Sequence, residues 1–258
     1  MPYADSEGIR IHYQMEGEGP PLVLHHWSLA TMNDWYDYGY VSALRNEYRL
    51  VLLDARGHGD SDKLHSPGAY ELSKRVKDVV AVLDDLGISR AHFFGYSMGG
   101  WIGFGIVRYA PERLRSIIIG GQHPYKQSMT GLRKLVQYGV ENGPEAFIAI
   151  WEENFGTLSF NKAKERMLKY DYRALLVAAQ DRESLGDVLT AMDMPCLLYA
   201  GEMDEVYPIA KKCAQQIANA KFVSLPGLGH GGAISRSDEI LPHIHAFLSV
   251  VSKGTSEV

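Results

Sequence analysis

The sequence predicts an α/β fold: a mostly parallel, twisted sheet with helices on both faces and a small helical lid. Three features predict it. Short segments that are apolar at consecutive positions alternate with longer amphipathic ones. The short segments end at Gly, Asp or Pro, where a sheet strand gives way to a turn. One long stretch, residues 121–190, lacks this alternation and reads as several short helices.

The strand candidates come in chain order. Ile9 to Tyr13 alternates and reads as an edge strand. PPLVLHH (20–26), YRLVLLDARG (48–57), AHFFGYS (91–97), RSIIIGG (115–121), PCLLYAG (195–201) and KFVSLPG (221–227) are apolar without alternation. That is the pattern of strands covered on both faces. Between them, YELSKRVKDVVAVLDDLG (70–87) sets Leu72, Val76, Val79, Leu83 and Leu86 at helical spacing, with Gly87 as the stop. Helix starts directly after Ser97 and ends before Pro111. VYPIAKKCAQQIANA and SDEILPHIHAFLSVV supply two more, with Pro242 expected to distort an early turn of the latter. Strand–helix alternation of this kind gives parallel pairing. The lid reads as MTGLRKLVQYGVENG, PEAFIAIWEENFG and NKAKERMLKYDYRALLVAAQ, with recurring aromatics that include Tyr125, Phe147, Trp151, Phe155 and Tyr172. The expected division is core 1–120, lid 121–190 and core 191–258, ending in a frayed SKGTSEV tail.

Composition narrows the function. Hydrophobic residues make up 46% and charged residues 22%, as in an ordinary globular chain. The formal net charge is -5 and no Lys/Arg run tracks a phosphate backbone, so nucleic acid is not an expected partner. The N-terminal residues lack the basic and apolar regions of a signal peptide. No stretch reaches the roughly 20 apolar residues of a membrane span. The two cysteines, Cys196 and Cys213, are too few for a disulfide framework and read as buried thiols. A cytoplasmic location is the expectation. The sequence leaves the oligomeric state open, a homodimer included.

The chemistry concentrates at AHFFGYSMGGWIG (91–103). A strand enters Ser97 and a helix leaves it, with Gly95 and Gly99 two positions to either side. This is the strand–turn–helix context of a G-x-S-x-G nucleophile elbow. It exposes the hydroxyl at the sheet edge and turns the Met98 backbone N–H toward whatever Ser97 attacks. Serine needs a base. His230, in the glycine-rich LPGLGHGG after the last core strand, is the best placed of ten histidines. His12, His65 and His92 read as structural, and His243 and His245 cannot face one target from a helix. The base needs an acid to hold its tautomer. LLYAGEMDEVYP offers Glu202, Asp204 and Glu205, of which Asp204 is preferred. Asp54 rivals it by position, although Arg56 to Gly59 beyond it reads as a structural turn.

GYSMGG, DARGHGDSD, AGEMDEVYP and GLGHGG, in that order, resemble the α/β-hydrolase superfamily over nearly the whole chain. Its small-lid esterases, enol-lactone hydrolases and cofactor-free haloperoxidases are the most similar, and some lactonases acting on acyl-homoserine lactones share this build. The resemblance implies a triad of Ser97, Asp204 and His230, no cofactor and no metal. It also implies a second oxyanion donor after PPLVLHH, which by position is the N–H of Trp27. The family's usual glycine is missing there, since the sequence reads His25-His26-Trp27. His26, Trp101, Trp151 and Tyr125 are expected to line the substrate pocket, with packing of His26 under the loop as the alternative.

The expected function is hydrolysis of carboxylic esters or lactones of compact, largely apolar small molecules through an acyl-enzyme, with perhydrolysis as a side activity. Two other readings stay open: a carbon–carbon bond hydrolase of the dienoate type, with Arg133 or Lys126 over the site, and a non-catalytic ligand-binding member. A carboxylate-nucleophile dehalogenase or epoxide hydrolase is excluded by serine at position 97. A metal-dependent lactonase is excluded by the lack of a dense His/Asp cluster. Zinc at His25-His26 is disfavoured because a strand points neighbouring side chains to opposite faces.

Overall fold

Eight strands form one sheet in the order β1-β2-β4-β3-β5-β6-β7-β8 in the computed structural model, which describes residues 2–155 and 161–254. The hairpin of β1 (Tyr3–Ser6) and β2 (Ile9–Glu16) is antiparallel, and β2 runs antiparallel to β4 (Arg49–Leu53). All other pairs are parallel: β3 (Pro21–His25) with β4 and β5 (Ala91–Tyr96), then β6 (Leu114–Gly120), β7 (Cys196–Gly201) and β8 (Ala220–Leu225). This is the α/β-hydrolase architecture. The segment Ile9 to Tyr13 is not the edge, because β1 lies outside it. The tight turn between the two is made by Glu7 (φ 55°) and Gly8 (φ 84°), with Asp5 Oδ1 accepting the Gly8 N–H at 2.8 Å. Four residues, YADS, with little apolar content give no strand pattern to read.

Strand residues send alternate side chains to two cores. Leu22, Leu24, Leu50, Leu52, Phe94, Ile118 and Leu197 face α1 (Asp34–Asp37), α2 (Tyr40–Leu44) and the C-terminal helices described below. Val23, Val51, Phe93, Ile117, Ile119 and Leu198 face α3 (Leu72–Asp85) and α4 (Met98–Tyr109). Both faces are covered, which is why the runs read as continuously apolar. The short helices α1 and α2 gave no periodic signal.

The insertion after β6 contains α5 (Thr130–Asn142), α6 (Pro144–Phe155), α7 (Asn161–Met167) and α8 (Tyr172–Ala178). The expected third lid helix is broken between Met167 and Tyr172, where the Asp171 side chain accepts the Ala174 N–H at 2.9 Å and starts α8 as an N-cap. The lid has its own core of Val136, Phe147, Ile148, Met167, Tyr172 and Leu175, joined by Leu29 from the loop after β3. Arg166 ties it down through Asp34 (3.0 Å) and Asp37 (2.5 Å), and the Tyr170 hydroxyl donates to Leu29 O at 2.8 Å. The chain then returns through β7, α9 (Tyr207–Ala214), β8, α10 (His230–Ser235) and α11 (Ser237–Gly254). Pro242 lies inside α11, which continues through it. The Phe155 side chain and the end of the expected frayed tail fall outside the described residues. Among the described residues no helix is long and apolar enough to cross a membrane.

Candidate active site

Ser97 joins β5 to α4 at φ 50° and ψ -108°, a region that side chains rarely enter. The flanking glycines allow it. A Cβ on Gly95 would sit 2.3 Å from the carbonyl carbon and oxygen of Gly99, and one on Gly99 would sit 2.2 Å from His25 O. The bend therefore closes only where neither position carries a side chain, and it presses the first turn of α4 against the end of β3. Ser97 N–H donates to Gly120 O at 2.9 Å, anchoring the bend to β6.

His230 stands at the first position of α10 rather than in an open loop. Its Nδ1 lies 2.6 Å from Asp204 Oδ2, and Asp204 is buried. An ionised carboxylate accepts, so Nδ1 carries the proton and Nε2 is left as the basic nitrogen. The other Asp204 oxygen accepts the Val206 N–H at 3.1 Å, which fixes the carboxylate. Close approach of the two loops explains this pairing. A Cβ on Gly201 would meet Leu228 O at 2.1 Å, and Met203 N–H donates to Leu228 O at 2.9 Å. The imidazole rests 5.2 Å from the Tyr96 ring, and the Tyr96 hydroxyl donates to His230 O at 2.5 Å. Among the described residues Ser97 Oγ makes no hydrogen bond, and the His230 side chain is 46% exposed. Such bonds commonly tighten only once substrate is bound.

The backbone N–H groups of Met98 and Trp27 have no acceptor among the described residues. Met98 starts a helix, where free N–H groups and the dipole favour negative charge. Trp27 follows the two residues whose carbonyls crowd Gly99.

His26 does not line the pocket. It is fully buried, its Nδ1 donates to Trp27 O at 2.7 Å, and its Nε2 accepts the Ala55 N–H at 3.0 Å. Burial pulls its pKa down, so it stays neutral and stitches the Trp27 loop to the turn after β4. Strand β3 ends at His25, so alternation stops there, and the His25 and His26 rings lie 5.6 Å apart instead of on opposite faces. Asp54 is committed elsewhere. It accepts from His12 Nδ1 (2.8 Å), Met32 N–H (2.9 Å) and Asp60 N–H (3.0 Å), which makes it the organiser of its own turn. His12, Asp54 and Asp60 also form the one group of three metal-capable side chains among the described residues, already joined by these bonds. His92 pairs with Ser116 Oγ and His65 with Asp171.

Tyr125 packs against the core that contains Met98 and Trp101 and is partly buried. It packs over Gly186, beside His123, and its hydroxyl accepts from Gln216 Nε2 at 3.0 Å. Trp151 stacks on Phe147 within the lid core. Trp101 lies one turn along α4 from Ser97, buried, with the guanidinium groups of Arg75 and Arg182 against its ring at 5.9 and 5.2 Å. Neither arginine was legible as a site residue. Arg75 reads as the polar face of α3, and Arg182 lies in the polar run Gln180-Asp181-Arg182-Glu183.

A family model described as the alpha/beta hydrolase fold matches residues 20–157. The chain is 26% identical to a bifunctional esterase/perhydrolase of Acinetobacter calcoaceticus, over 94% of this chain and 97% of that one. It is 25% identical to a putative 2-succinyl-6-hydroxy-2,4-cyclohexadiene-1-carboxylate synthase of Bacillus subtilis, over 87% and 89%. The crystal structure of an enol-lactonase from Burkholderia xenovorans superposes with a TM-score of 0.83 at 25% identity, covering 96% of this chain and all of that one. With the elbow, the sheet order and the matched segment in agreement, the chain belongs to the alpha/beta hydrolase family.

Proposed function

We propose that this protein is a serine hydrolase that cleaves carboxylic esters or lactones of compact small molecules. The observation that carries the reading is the positive-φ Ser97 elbow, whose preceding residue Tyr96 lies against an imidazole held through Nδ1 by a buried carboxylate. In this mechanism Ser97 Oγ attacks the carbonyl carbon while His230 Nε2 takes its proton. The oxyanion is received by the N–H groups of Met98 and Trp27, which have no acceptor among the described residues. Preorganised donors of this kind are each worth ~10²–10³ in rate. His230 then protonates the departing alkoxide, and water activated by the same nitrogen releases the acid. In a lactone the alkoxide stays tethered, so the ring opens. This route needs no cofactor. Peroxide in place of water would give perhydrolysis.

Of the cations that the sequence offered to a carbon–carbon hydrolase, Arg133 is engaged with Asp181 at 2.8 Å and Lys126 is exposed. Neither supports that reading. The test uses a chromogenic short-chain ester and an organophosphate. Hydrolysis, a covalent adduct on Ser97, and loss of both in Ser97→Ala with the fold retained are expected. A wild-type protein that shows neither turnover nor labelling would leave only a ligand-binding role.

A further inference from the structure

We propose that Arg182, with Arg75 and Trp101, forms a buried subsite beside the elbow that holds a carboxylate of the substrate. The substrates would then be anionic esters or lactones, not purely apolar ones. The proposal names the substrate class for the hydrolase reading above and rests on it for turnover, but not for binding.

The argument begins with an unbalanced charge. Arg182 is 4% exposed, yet it forms no ion pair among the described residues. Its side chain makes one hydrogen bond, from Nη1 to Gln127 Oε1 at 2.9 Å. Burying a guanidinium without a counter-ion costs several kcal/mol by general estimates, so natural proteins seldom do it without a use. The charged neighbour that does act on Arg182 is another cation, Arg75. Arg75 is also buried, and it donates to Tyr70 O, Ala178 O and Met98 Sδ, none of them anionic. The carboxylate that acts on it, Asp78, is held bidentately by Arg56 at 2.6 and 2.5 Å. Asp204 is engaged with His230, and Asp181 with Arg133. Burial and Arg75 pull the Arg182 pKa down to about 9, which still leaves it charged at neutral pH.

Position and chemistry then select the ligand. Trp101, against which both guanidiniums lie, stands one helical turn after Ser97, its backbone N–H donating to Ser97 O at 2.9 Å. Gln122 Nε2 donates to the same Ser97 oxygen at 3.3 Å and lies 3.5 Å from the Gln127 oxygen that Arg182 holds. Arg75 touches Met98, whose backbone N–H is the proposed oxyanion donor. The Trp101 indole N–H is itself buried with no acceptor among the described residues. Arg182, whose Nη1 alone makes a hydrogen bond among the described residues, lies against the ring that carries the indole N–H, and free donors of this kind suit a planar anion with two acceptor oxygens, which is a carboxylate.

The first test is calorimetric titration of adipate and of the neutral adipamide into the wild type, Arg182→Gln and Arg182→Lys, with melting curves as a check on folding. Adipate is expected to bind at least about tenfold more tightly than adipamide. Arg182→Gln is expected to lose about 10- to 100-fold in adipate affinity, and Arg182→Lys to recover part of it. Equal binding of acid and amide by the wild type, or adipate affinity unchanged in Arg182→Gln, overturns the subsite. The second test compares kcat/KM for the phenyl monoester of adipate with that for phenyl hexanoate, which differ by a terminal carboxylate against a methyl. The ratio should favour adipate and fall in Arg182→Gln, mainly through KM. If Arg182→Gln does not fold, inhibition of wild-type hexanoate hydrolysis by adipate but not adipamide upholds the proposal, and equal or absent inhibition overturns it. Adipate binding without turnover of either ester would keep the subsite and defeat the hydrolase reading. Turnover without adipate binding would do the reverse.

Discussion

Replacing Gly99 by alanine tests the elbow more sharply than removing the nucleophile. The added methyl would lie 2.2 Å from His25 O, with His25 C and His26 O at 2.9 Å. An ordinary carbon–oxygen contact requires a retreat of about 1 Å. The obstacle is backbone, so no rotamer relieves it. His25 is also fixed on both sides, paired with Leu53 on β4 and Gly95 on β5. Overpacking of this kind costs about 1–3 kcal/mol, and with no side chain able to move, the upper part of that range applies. In a chain of this length it corresponds to a fall in Tm of roughly 4–10 °C. Activity should suffer more than stability, because the retreat shifts the loop bearing the Trp27 N–H. A misplacement of about 1 Å costs on the order of 10²-fold in rate. Differential scanning calorimetry and kcat/KM on a phenyl ester measure both. Gly131→Ala on α5 is the control, since its methyl meets nothing within 4 Å. It should leave activity intact and raise stability by up to about 1 kcal/mol. A Gly99→Ala enzyme with wild-type Tm and kcat/KM would refute the reasoning, since the packing would then impose no constraint on the donor loop.

Asp204→Asn should fold normally and lose roughly 10⁴-fold in kcat. Asp54 cannot take over, because its oxygens are occupied by His12, Met32 and Asp60; a loss under tenfold, read by stopped assay, would move the acid role elsewhere. Stability should fall with acid well before the carboxylates titrate. Burial, reinforced by His26, pushes the His25 pKa down to about 3, and burial with Arg115 pushes His92 down to about 4. The unfolded chain therefore takes up protons first. The stability that these groups contribute is present above pH 6.5 and is lost as pH falls toward their folded values, about 2 kcal/mol each by pH 5. Urea midpoints at pH 7.5 and 5.0 should show that loss, and His92→Gln should show a smaller one; a wild type equally stable at both pH values would contradict it.

Short apolar runs, the 3.6-residue spacing of α3 and the two glycines around Ser97 are local signals, and local sterics set what they describe. They were sufficient for the strand candidates of the parallel sheet and for the bend at Ser97, and of the three acids on the loop after β7 it is Asp204 whose oxygen meets His230 Nδ1. They failed where the signal is not local. Strand β1 is too short and polar to show a period, yet it is held as an edge by pairing with β2. His26 looks like a second active-site imidazole until Ala55, on a different strand's turn, claims its Nε2. Tyr125 looks like lid lining until Gln216, far along the chain, takes its hydroxyl.

What the sequence determined by itself is a backbone course: where the chain bends at Ser97, which segments must be covered on both faces, and which residue types can transfer a proton. What only the tertiary structure decided is which charges and hydrogen-bonding groups meet. Whether a buried Arg182 has a counter-ion, or His230 a carboxylate, depends on loops brought together from distant parts of the chain. Burial magnifies every such match or mismatch, because a low-dielectric interior penalises the unpaired group that water would have satisfied.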